Sequence, residues 1–493
     1  MTDRMADGAV GPGNIVLICV DQWRGDALSV AGHPVVRTPH LDALARSGTR
    51  FTSAYSATPT CTPARAALFT GQSQERHGRV GYRDGVPFHR AHPVTLAGEL
   101  SRAGYQTQAI GKMHVYPERS RAGFDDVRLH DGYLHHARRR GANGPAPADD
   151  YLTWLHRQDG QAAADYTETG LNCNSVVARP WDKAEHLHPT NWVVSESLDW
   201  LDRRDPTVPF FLYMSFHRPH PPYDPPSWAF EQYLAAEPTE PVVGDWTGDL
   251  EAFRTDGVHD AFVGRMDPVT HHRARAGYYG HMAHIDVQIN RFLEALGEHG
   301  LARDTTIVFV SDHGEMMGDH DLYRKGFPYQ GSAGIPMLIS SPRHPGGVVR
   351  DEVVELRDIM PTLLDLAGAP VPDSVDGRSL VPLLEPDSAP PWREVLHGEH
   401  TLLKQSLQWL TDGRRKYVWL SGEGLEQFFD LVEDPQETRN LAADPTRAGE
   451  VAIWRARLVE ALTDREEGYV LDGGLVPGRT PITEFAWVRD LIG

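Results

Sequence analysis

The chain has 493 residues, of which 40% are hydrophobic and 24% are charged, a balance typical of a folded enzyme with one large or two medium domains. Its 48 basic residues stand against 68 acidic ones, and the formal net charge of −20 argues against a nucleic-acid partner. No apolar run of about 18 residues occurs, so we expect no membrane span. An anionic substrate would need a local positive pocket in such an acidic protein.

The cysteines and the N-terminal segment bear on the cellular compartment. Cys19, Cys61 and Cys173 are an odd, sparse set, which argues against a disulfide framework and suits a reducing cytosol. The first 14 residues lack the apolar region of a secretory signal. We therefore expect a cytoplasmic protein, and the sequence leaves homo-oligomerisation open.

Four nearly continuous apolar segments predict the strands of a parallel sheet that is buried on both faces. They occupy residues 14–22, 105–114, 209–220 and 305–314. Side chains that bind ions or protons stand at their ends: Asp21, Lys112, His114, His220, Asp312 and His313. Because ligands bind beyond the carboxyl ends of parallel strands, we expect these side chains to line one site.

Helix-like segments between the strands, such as residues 92–104 and 275–300, predict an α/β sandwich. A Pro-rich segment at residues 383–392 separates it from two strand-like segments, a turn and a helix, a pattern that favours a small antiparallel sheet with a helix against it. We place an N-terminal catalytic domain at residues 1–385 and a small C-terminal α+β sheet domain with a tail at residues 386–493.

Two long segments, at about residues 129–189 and 221–269, look like loop-rich insertions that shape a substrate pocket. The first contains the basic run Arg138–Arg140. This run has two interpretations, a solvated loop face or a rim that attracts a polyanionic substrate.

The stretch TPTCTPARAALFTGQ, residues 58–72, places Cys61 at the start of a short helix. Thr60 or Thr62 can cap this helix and Gly71 can close it. Backbone N–H groups and the helix dipole would converge there on an anion, with Arg65 one turn further along. Such a position makes a thiol reactive, and the alternative is a buried, inert cysteine beside a structural arginine.

The motif CTPARAALFTG resembles the signature of the type I sulfatase family, C-x-P-x-R followed five residues later by Thr-Gly. This family, part of the alkaline phosphatase superfamily, implies a mostly parallel sheet between helices and a smaller C-terminal sheet domain. In the family a formylglycine-generating enzyme oxidises the cysteine to formylglycine, an aldehyde that is hydrated in the resting enzyme. The resemblance therefore implies that Cys61 is a precursor and that this modifying enzyme is a partner during maturation.

Further motifs extend the resemblance from Asn14 to about Pro445. They are NIVLICVDQWRGDAL, GKMH, HRPHPP, SDHGEMMGDHDLYRKGFPYQGS and FFDLVEDPQETRNLA. The metal ligands that the resemblance implies are Asp21, Gln22, Cys61 in its modified form, Asp312 and His313. The catalytic residues that it implies are Cys61, Arg65, Lys112, His114, His220 and Lys325.

The first metal-binding strand departs from many sulfatases, which have Asp-Asp where this chain has Asp21-Gln22. Asp-Gln and DQWRGD are more similar to phosphonate monoester hydrolases, to their bacterial arylsulfatase relatives and to choline sulfatases. Oxygen-rich ligation suits one Ca²⁺, and a single histidine keeps Mn²⁺ as an alternative. From residue types alone, Asp21 and Asp312 could instead be caps in strand-to-helix loops.

The resemblance also implies a mechanism. Hydrated formylglycine attacks the sulfur, and the metal, Arg65 and two lysines hold the sulfate oxygens. His220, chosen over His217 through the Pro-His-x-Pro placement of the family, protonates the departing alcohol together with Lys325. His114 removes the proton of the second hydroxyl, which expels sulfate.

We therefore expect a sulfuric ester hydrolase that acts on small-molecule aryl or sugar sulfate monoesters. A phosphonate monoester or phosphodiester hydrolase on the same scaffold is the alternative. A protein that only binds sulfated glycans would be expected to lack the cysteine or a ligand, and this chain retains both. Three further histidines, His281, His284 and His320, are expected to be structural.

Overall fold

The computed structural model describes residues 13–132, 149–160 and 173–491. Its largest sheet contains β1 (Asn14–Asp21), β2 (Thr49–Phe51), β4 (Gln106–Gly111), β5 (Asp126–Leu129), β6 (Phe210–Pro219), β7 (Thr305–Ser311), β8 (Met337–Ser340) and β9 (Val348–Arg350). The strand order is β5-β4-β6-β1-β7-β8-β2-β9, in which only β8 runs antiparallel to its neighbours. A small parallel pair joins β3 (Ala54–Tyr55) to β10 (Val354–Glu355).

The four apolar segments form β4, β6, β1 and β7, which are adjacent in the sheet. Every residue of β1, β6 and β7 is buried, as expected for strands covered on both faces. The parallel register pairs Val20 with Ser311, and Gly111 with Ser215, so the carboxyl ends lie at one edge. The prediction that these strands end together is confirmed.

Among the described residues, α-helices lie on both faces of the central sheet and beside the C-terminal sheet. They are α1 (Pro39–Ser47), α2 (Cys61–Thr70), α3 (Gln74–His77), α4 (Phe88–Ala91), α5 (Leu96–Arg102), α6 (Asp150–Gln158), α7 (Pro189–Arg203), α8 (Ser227–Leu234), α9 (Pro268–Glu298), α10 (Gln330–Ala333), α11 (Ile359–Leu366), α12 (Ala448–Leu462) and α13 (Ala486–Arg489). Alternate residues of β1 enter different cores: Val16 and Ile18 pack on the side of α7 and α9, whereas Ile15 and Leu17 pack on the side of α2 and α11. The α/β sandwich is confirmed.

The helix predicted from residue 275 begins seven residues earlier. Asp267 caps it by accepting hydrogen bonds from the backbone N–H groups of Val269 and Thr270, and Pro268 occupies the first turn. The second insertion contains α8 and a 3₁₀ helix, Thr247–Phe253, so it is more ordered than predicted. The run Arg138–Arg140 lies outside the described residues.

The C-terminal part forms an antiparallel sheet of four strands against α12. Its strands are β11 (Leu396–Leu402), β12 (Gln405–Thr411), β13 (Arg415–Leu420) and β14 (Leu425–Asp430), and a small hairpin of β15 (Val470–Leu471) and β16 (Gly474–Leu475) follows. The start of the predicted turn, FFD, belongs to β14, a correction to the sequence interpretation. Trp419 and Phe428 pack against Trp454 and Leu458 of α12. Among the described residues, none of the helices combines the length and the apolar composition of a transmembrane span.

Candidate active site

Cys61 is the first residue of α2 and is buried at the edge where the central strands end. Thr60 precedes the helix in extended conformation, but its hydroxyl bonds to His400 Nε2 at 2.8 Å rather than to the helix. The expectation of a capping bond is therefore wrong for Thr60, because the C-terminal sheet takes its hydroxyl. Gly71 closes the helix in the left-handed conformation with φ of 65°, as predicted.

Four potential ligands converge at this point. Cys61 Sγ lies 3.2 Å from His313 Nε2 and 3.7 Å from Asp21 Oδ1. Together with Asp312, these residues each place one ligand atom within 4.8 Å of the others, and all four are buried. They come from the end of β1, the segment after β7 and the start of α2.

The donor set fits a divalent cation. His313 Nδ1 donates to the carbonyl oxygen of Gly314 at 3.0 Å, so the lone pair of Nε2 faces the cluster. Nε2 lies 3.4 Å from an oxygen of Asp21 and 3.6 Å from one of Asp312. Two buried carboxylates beside one imidazole are a mixed oxygen and nitrogen set that both Ca²⁺ and Mn²⁺ accept.

Gln22 lies beside this cluster on left-handed backbone with φ of 73°. Its Oε1 accepts a hydrogen bond from Lys325 Nζ at 2.6 Å, and its Nε2 donates to Glu315. Glu315 is almost fully buried and also accepts from the backbone N–H of Met317 at 2.9 Å. Glu315 was not identified from the sequence, although it follows His313 by only two residues.

Arg65 is buried behind Asp312 rather than standing free in the cavity. Its Nε donates to Asp312 Oδ2 at 2.9 Å, and its Nη1 donates to the carbonyl of Lys112 and to the hydroxyls of Tyr213 and Ser215. Burial acts to lower the pKa of Arg65, but Tyr213 and Asp312 raise it well above its usual value. Arg65 therefore stays charged and holds one candidate ligand in place.

Two lysines flank Cys61. Lys112 forms an ion pair with Asp21 and lies 3.7 Å from Cys61 Sγ. Burial acts to lower the pKa of Lys112, but the Asp21 carboxylate and Cys61 raise it above its usual value. Lys325 Nζ lies 2.6 Å from His220 Nε2. Because His220 Nδ1 donates to the carbonyl of Pro221 at 2.9 Å, its Nε2 accepts from Lys325.

His114 is held next to Cys61 by a turn after β4. Asp131 Oδ1 accepts from the backbone N–H groups of Met113 and His114 at 2.8 and 2.9 Å. His114 Nε2 lies 3.5 Å from the hydroxyl of Tyr82. Burial acts to lower the pKa of His114, but hydrogen bonding with Asp84 and Cys61 raises it. Asp131 was not identified from the sequence, where it stands among ordinary loop residues.

All ten predicted site residues thus lie around one point, and once Glu315 is added the carboxylates and the Lys and Arg cations are equal in number. The carboxylates of Asp21, Asp312 and Glu315 stand against the cations Arg65, Lys112 and Lys325. A divalent cation would leave this buried region with two positive charges, which would attract a singly charged sulfate ester. His217 lies beside His220, with ring centroids 4.9 Å apart, and contacts Arg218 Nη1 at 2.6 Å.

A second cluster of potential ligands, His188, Asp224 and His281, is buried elsewhere. His188 Nδ1 accepts from the backbone N–H of Thr190, and His281 Nε2 accepts from that of Asp224. Nε2 of a neutral His188 therefore carries the proton and has no lone pair for a metal, whereas His281 Nε2 also lies 3.2 Å from the carbonyl oxygen of Pro222. These contacts fit the structural role expected for His281.

The family of this chain is shown by its match to two protein-family models. The family model described as Sulfatase matches residues 13–369 of the chain. The chain belongs to the sulfatase family. A second model, described as N-sulphoglucosamine sulphohydrolase, C-terminal, matches residues 318–464, which include the four-stranded sheet.

Individual relatives agree with this membership. The chain is 47% identical to an arylsulfatase of Clostridium perfringens over 97% of this chain and 99% of the relative. It is 30% identical to the multifunctional alkaline phosphatase superfamily protein PehA of Trinickia caryophylli over 88% of this chain and 92% of that protein. The crystal structure of a phosphonate monoester hydrolase of Agrobacterium radiobacter matches with a TM-score of 0.77 and 29% identity, over 95% of this chain and all of that one.

Proposed function

We propose that this sulfatase-family chain hydrolyses sulfate monoesters of aryl alcohols or sugars, using one divalent cation and a formylglycine made from Cys61. The observation that carries the proposal is the convergence of Cys61 with Asp21, Asp312 and His313 between two lysines. The relative with 47% identity is named an arylsulfatase, which supports the same reaction.

A formylglycine hydrate at position 61 would supply an oxygen nucleophile, and a divalent cation, Ca²⁺ or Mn²⁺, would activate it and offset the charge of the sulfate. The residues of the chain position these groups. Asp21, Gln22, Asp312 and His313 would hold the cation. Arg65 fixes Asp312 through the 2.9 Å contact between its Nε and Asp312 Oδ2.

Lys112, which directly follows β4, and Lys325, which lies in the loop after β7, bind the sulfate oxygens. Lys112 lies 3.7 Å from Cys61 Sγ, and Lys325 is close enough to interact electrostatically with Cys61. Both are buried, so their ammonium groups act on the sulfate with little screening by water. They are already in place before the substrate binds, which avoids reorganisation during the reaction.

Proton transfer falls to two histidines, His220 and His114, near position 61. Lys325 Nζ donates to His220 Nε2, so the pair holds a proton that can pass to the departing alcohol. His114 contacts Cys61 and can accept the proton of a hydroxyl at that position. Release of sulfate by loss of that proton is the step that a serine at position 61 could not complete.

Hydrolysis of phosphonate monoesters or phosphodiesters is the second candidate. It is favoured by the TM-score of 0.77 with the phosphonate monoester hydrolase and by the multifunctional relative. Both classes of substrate are tetrahedral and singly charged, so the same lysines and cation would bind either.

The test uses protein made together with a formylglycine-generating enzyme and supplied with Ca²⁺ or Mn²⁺. We expect 4-nitrophenyl sulfate to be turned over with a higher kcat/KM than 4-nitrophenyl phenylphosphonate, and Cys61→Ala to be inactive on both. A higher kcat/KM for the phosphonate would make the alternative the principal activity. Failure of converted, metal-loaded protein to hydrolyse any sulfate ester would contradict the proposal.

A further inference from the structure

A cavity of about 350 Å³ opens beside Cys61, where the alcohol of a bound sulfate ester would lie. Part of its wall comes from the C-terminal sheet. Its apolar lining includes Tyr82, Phe262, Leu402 and Leu403. These side chains suit an aromatic ring better than an unsubstituted small alcohol.

The cavity is cationic although the chain carries a net charge of −20. Arg324 and Lys404 line it in addition to Lys325, and no Asp or Glu lines it in the part of the chain that the structure describes. The guanidinium of Arg324 lies 4.0 Å from the Phe262 ring centroid and donates to the carbonyl oxygen of Asp260. Among the described residues its buried Nε has no hydrogen-bond partner, so the guanidinium keeps an unsatisfied donor beside the cavity.

Both added cations stand on left-handed backbone, which is costly for residues other than glycine. Leu403 and Lys404, with φ of 51° and 62°, form the two-residue connection between β11 and β12. Arg324 has φ of 69°. A two-residue hairpin of this kind favours Asn-Gly. Leucine and lysine at such positions indicate that their side chains serve the cavity rather than the turn.

We propose that this cavity selects sulfate esters whose alcohol is an aromatic ring carrying a second anionic group, such as a carboxylate or another sulfate. The inference rests on the proposed function, because it names the substrate class of the same site. The ring packs against the apolar side, and Arg324 and Lys404 bind the second anion. The planar fork of Arg324 matches the two oxygens of a carboxylate or sulfate.

The test compares 4-carboxyphenyl sulfate with 4-carbamoylphenyl sulfate. The two esters have nearly the same shape and differ by one negative charge. The carbamoyl group withdraws electrons more strongly, so leaving-group chemistry alone favours the neutral ester. We expect wild-type kcat/KM to be about tenfold higher for the carboxyl ester, the size of one charge-assisted contact.

Variants then assign this preference to the two cations. We expect Arg324→Gln and Lys404→Gln each to lower the ratio of the two kcat/KM values by about threefold or more. Arg414→Gln is the matched control, because Arg414 is exposed in the connection between β12 and β13, at the other end of β12. It removes the same unit of charge and should leave the ratio unchanged.

A double variant separates recognition from folding. Leu403→Asn with Lys404→Gly installs the dipeptide that this hairpin favours, so we expect a Tm equal to or above that of the wild type. The preference for the carboxyl ester should nevertheless fall at least as far as in Lys404→Gln. A stable double variant that keeps the full preference would overturn the inference.

The outcomes also distinguish this inference from the proposed function. Turnover of both esters by wild-type protein with no preference for the carboxyl ester would overturn the cavity's role and leave sulfate hydrolysis intact. No turnover of either ester, or of 4-nitrophenyl sulfate, by converted and metal-loaded protein would overturn both.

Discussion

Asp312 contacts three neighbours with its two oxygens. Oδ2 accepts from Arg65 Nε at 2.9 Å, while Oδ1 accepts from the backbone N–H of Gln22 at 3.2 Å and faces His313. The carboxylate is fully buried, so its orientation is set by these contacts rather than by solvent. This arrangement makes Asp312 the most informative candidate ligand to remove.

We predict that Asp312→Ala loses both the bound divalent ion and the activity, because the remaining ligands carry too little negative charge to hold the ion. Elemental analysis of dialysed protein measures the ion, and circular dichroism checks the fold. Asp373→Ala, at an exposed site, is the control and should keep one ion per chain. A full equivalent of ion in Asp312→Ala would show that the assignment is wrong.

We predict that His220→Asn lowers kcat sharply for esters of poor leaving groups and much less for 4-nitrophenyl sulfate. The reason is that a nitrophenolate leaves with little help from a proton. A series of aryl sulfates that spans leaving-group pKa measures this dependence. His217→Asn, whose ring contacts Arg218 rather than Lys325, should not steepen the dependence. Equal losses on all esters would mean that His220 positions the substrate.

The buried strands of the central sheet could be predicted from the sequence, whereas β11 of the C-terminal sheet could not. β1, β6 and β7 are buried on both faces, so their residues are apolar without interruption and visible in the sequence. β11, with the sequence LHGEHTL, mixes polar and apolar residues without a clear alternation, and it was missed. The residues of the catalytic part that β11 contacts, such as Thr60, are far from β11 in the sequence.

Site residues could be identified only where they belong to a recognisable local pattern in the sequence. Those that belong to family motifs were identified, and the structure brings them together. Glu315, Asp131 and His400 were missed, because their partners are backbone N–H groups or side chains from distant segments. A buried acid that orders a loop has no spacing that distinguishes it from a surface acid.

A buried ion pair connects the C-terminal sheet to the segment after Lys325. Lys416 Nζ donates to Glu437 Oε1 at 2.6 Å and to the carbonyl of Pro328 at 2.8 Å. Glu437 Oε2 accepts from the backbone N–H of Gln330 at 2.7 Å. Both charged side chains are almost fully inaccessible to solvent. The pair therefore positions the sheet that closes one side of the active-site cavity.

We predict that Lys416→Met lowers the free energy of unfolding by about 3 kcal/mol, because it leaves the Glu437 carboxylate buried without its cation. Urea unfolding followed by tryptophan fluorescence measures the loss. The double variant with Glu437→Gln should recover part of it, since no uncompensated charge remains. A single variant as stable as the wild type would show that the pair does not support the docking of the sheet.

The candidate active site joins three elements that are far apart in sequence. The ends of β1 and β7 place Asp21 and Asp312 in a common cluster, and the start of α2 adds Cys61. An ion that binds this cluster binds only the folded chain, so it must stabilise the fold. The acidic surface of the protein also favours accumulation of cations around it.

We predict that removal of the ion by a chelator lowers Tm and that Ca²⁺ or Mn²⁺ restores it. The stabilisation is about 2.7 kcal/mol at a free ion concentration of about 100 times Kd. Differential scanning fluorimetry measures the shift, with Asp312→Ala as a control that should not respond. The same Tm with and without ion in the wild type would contradict binding at a site shared by these elements.

In the proposed function, Cys61 must be converted to formylglycine before the protein hydrolyses sulfate esters. The most direct measurement compares the fraction of Cys61 converted with the rate of 4-nitrophenyl sulfate hydrolysis, over preparations made with and without a formylglycine-generating enzyme. Conversion lowers the mass of the peptide carrying residue 61 by about 18 units, which gives the fraction. We expect a rate proportional to that fraction and close to zero for the unmodified thiol. Full activity in protein whose Cys61 is shown by mass to be unmodified would contradict it.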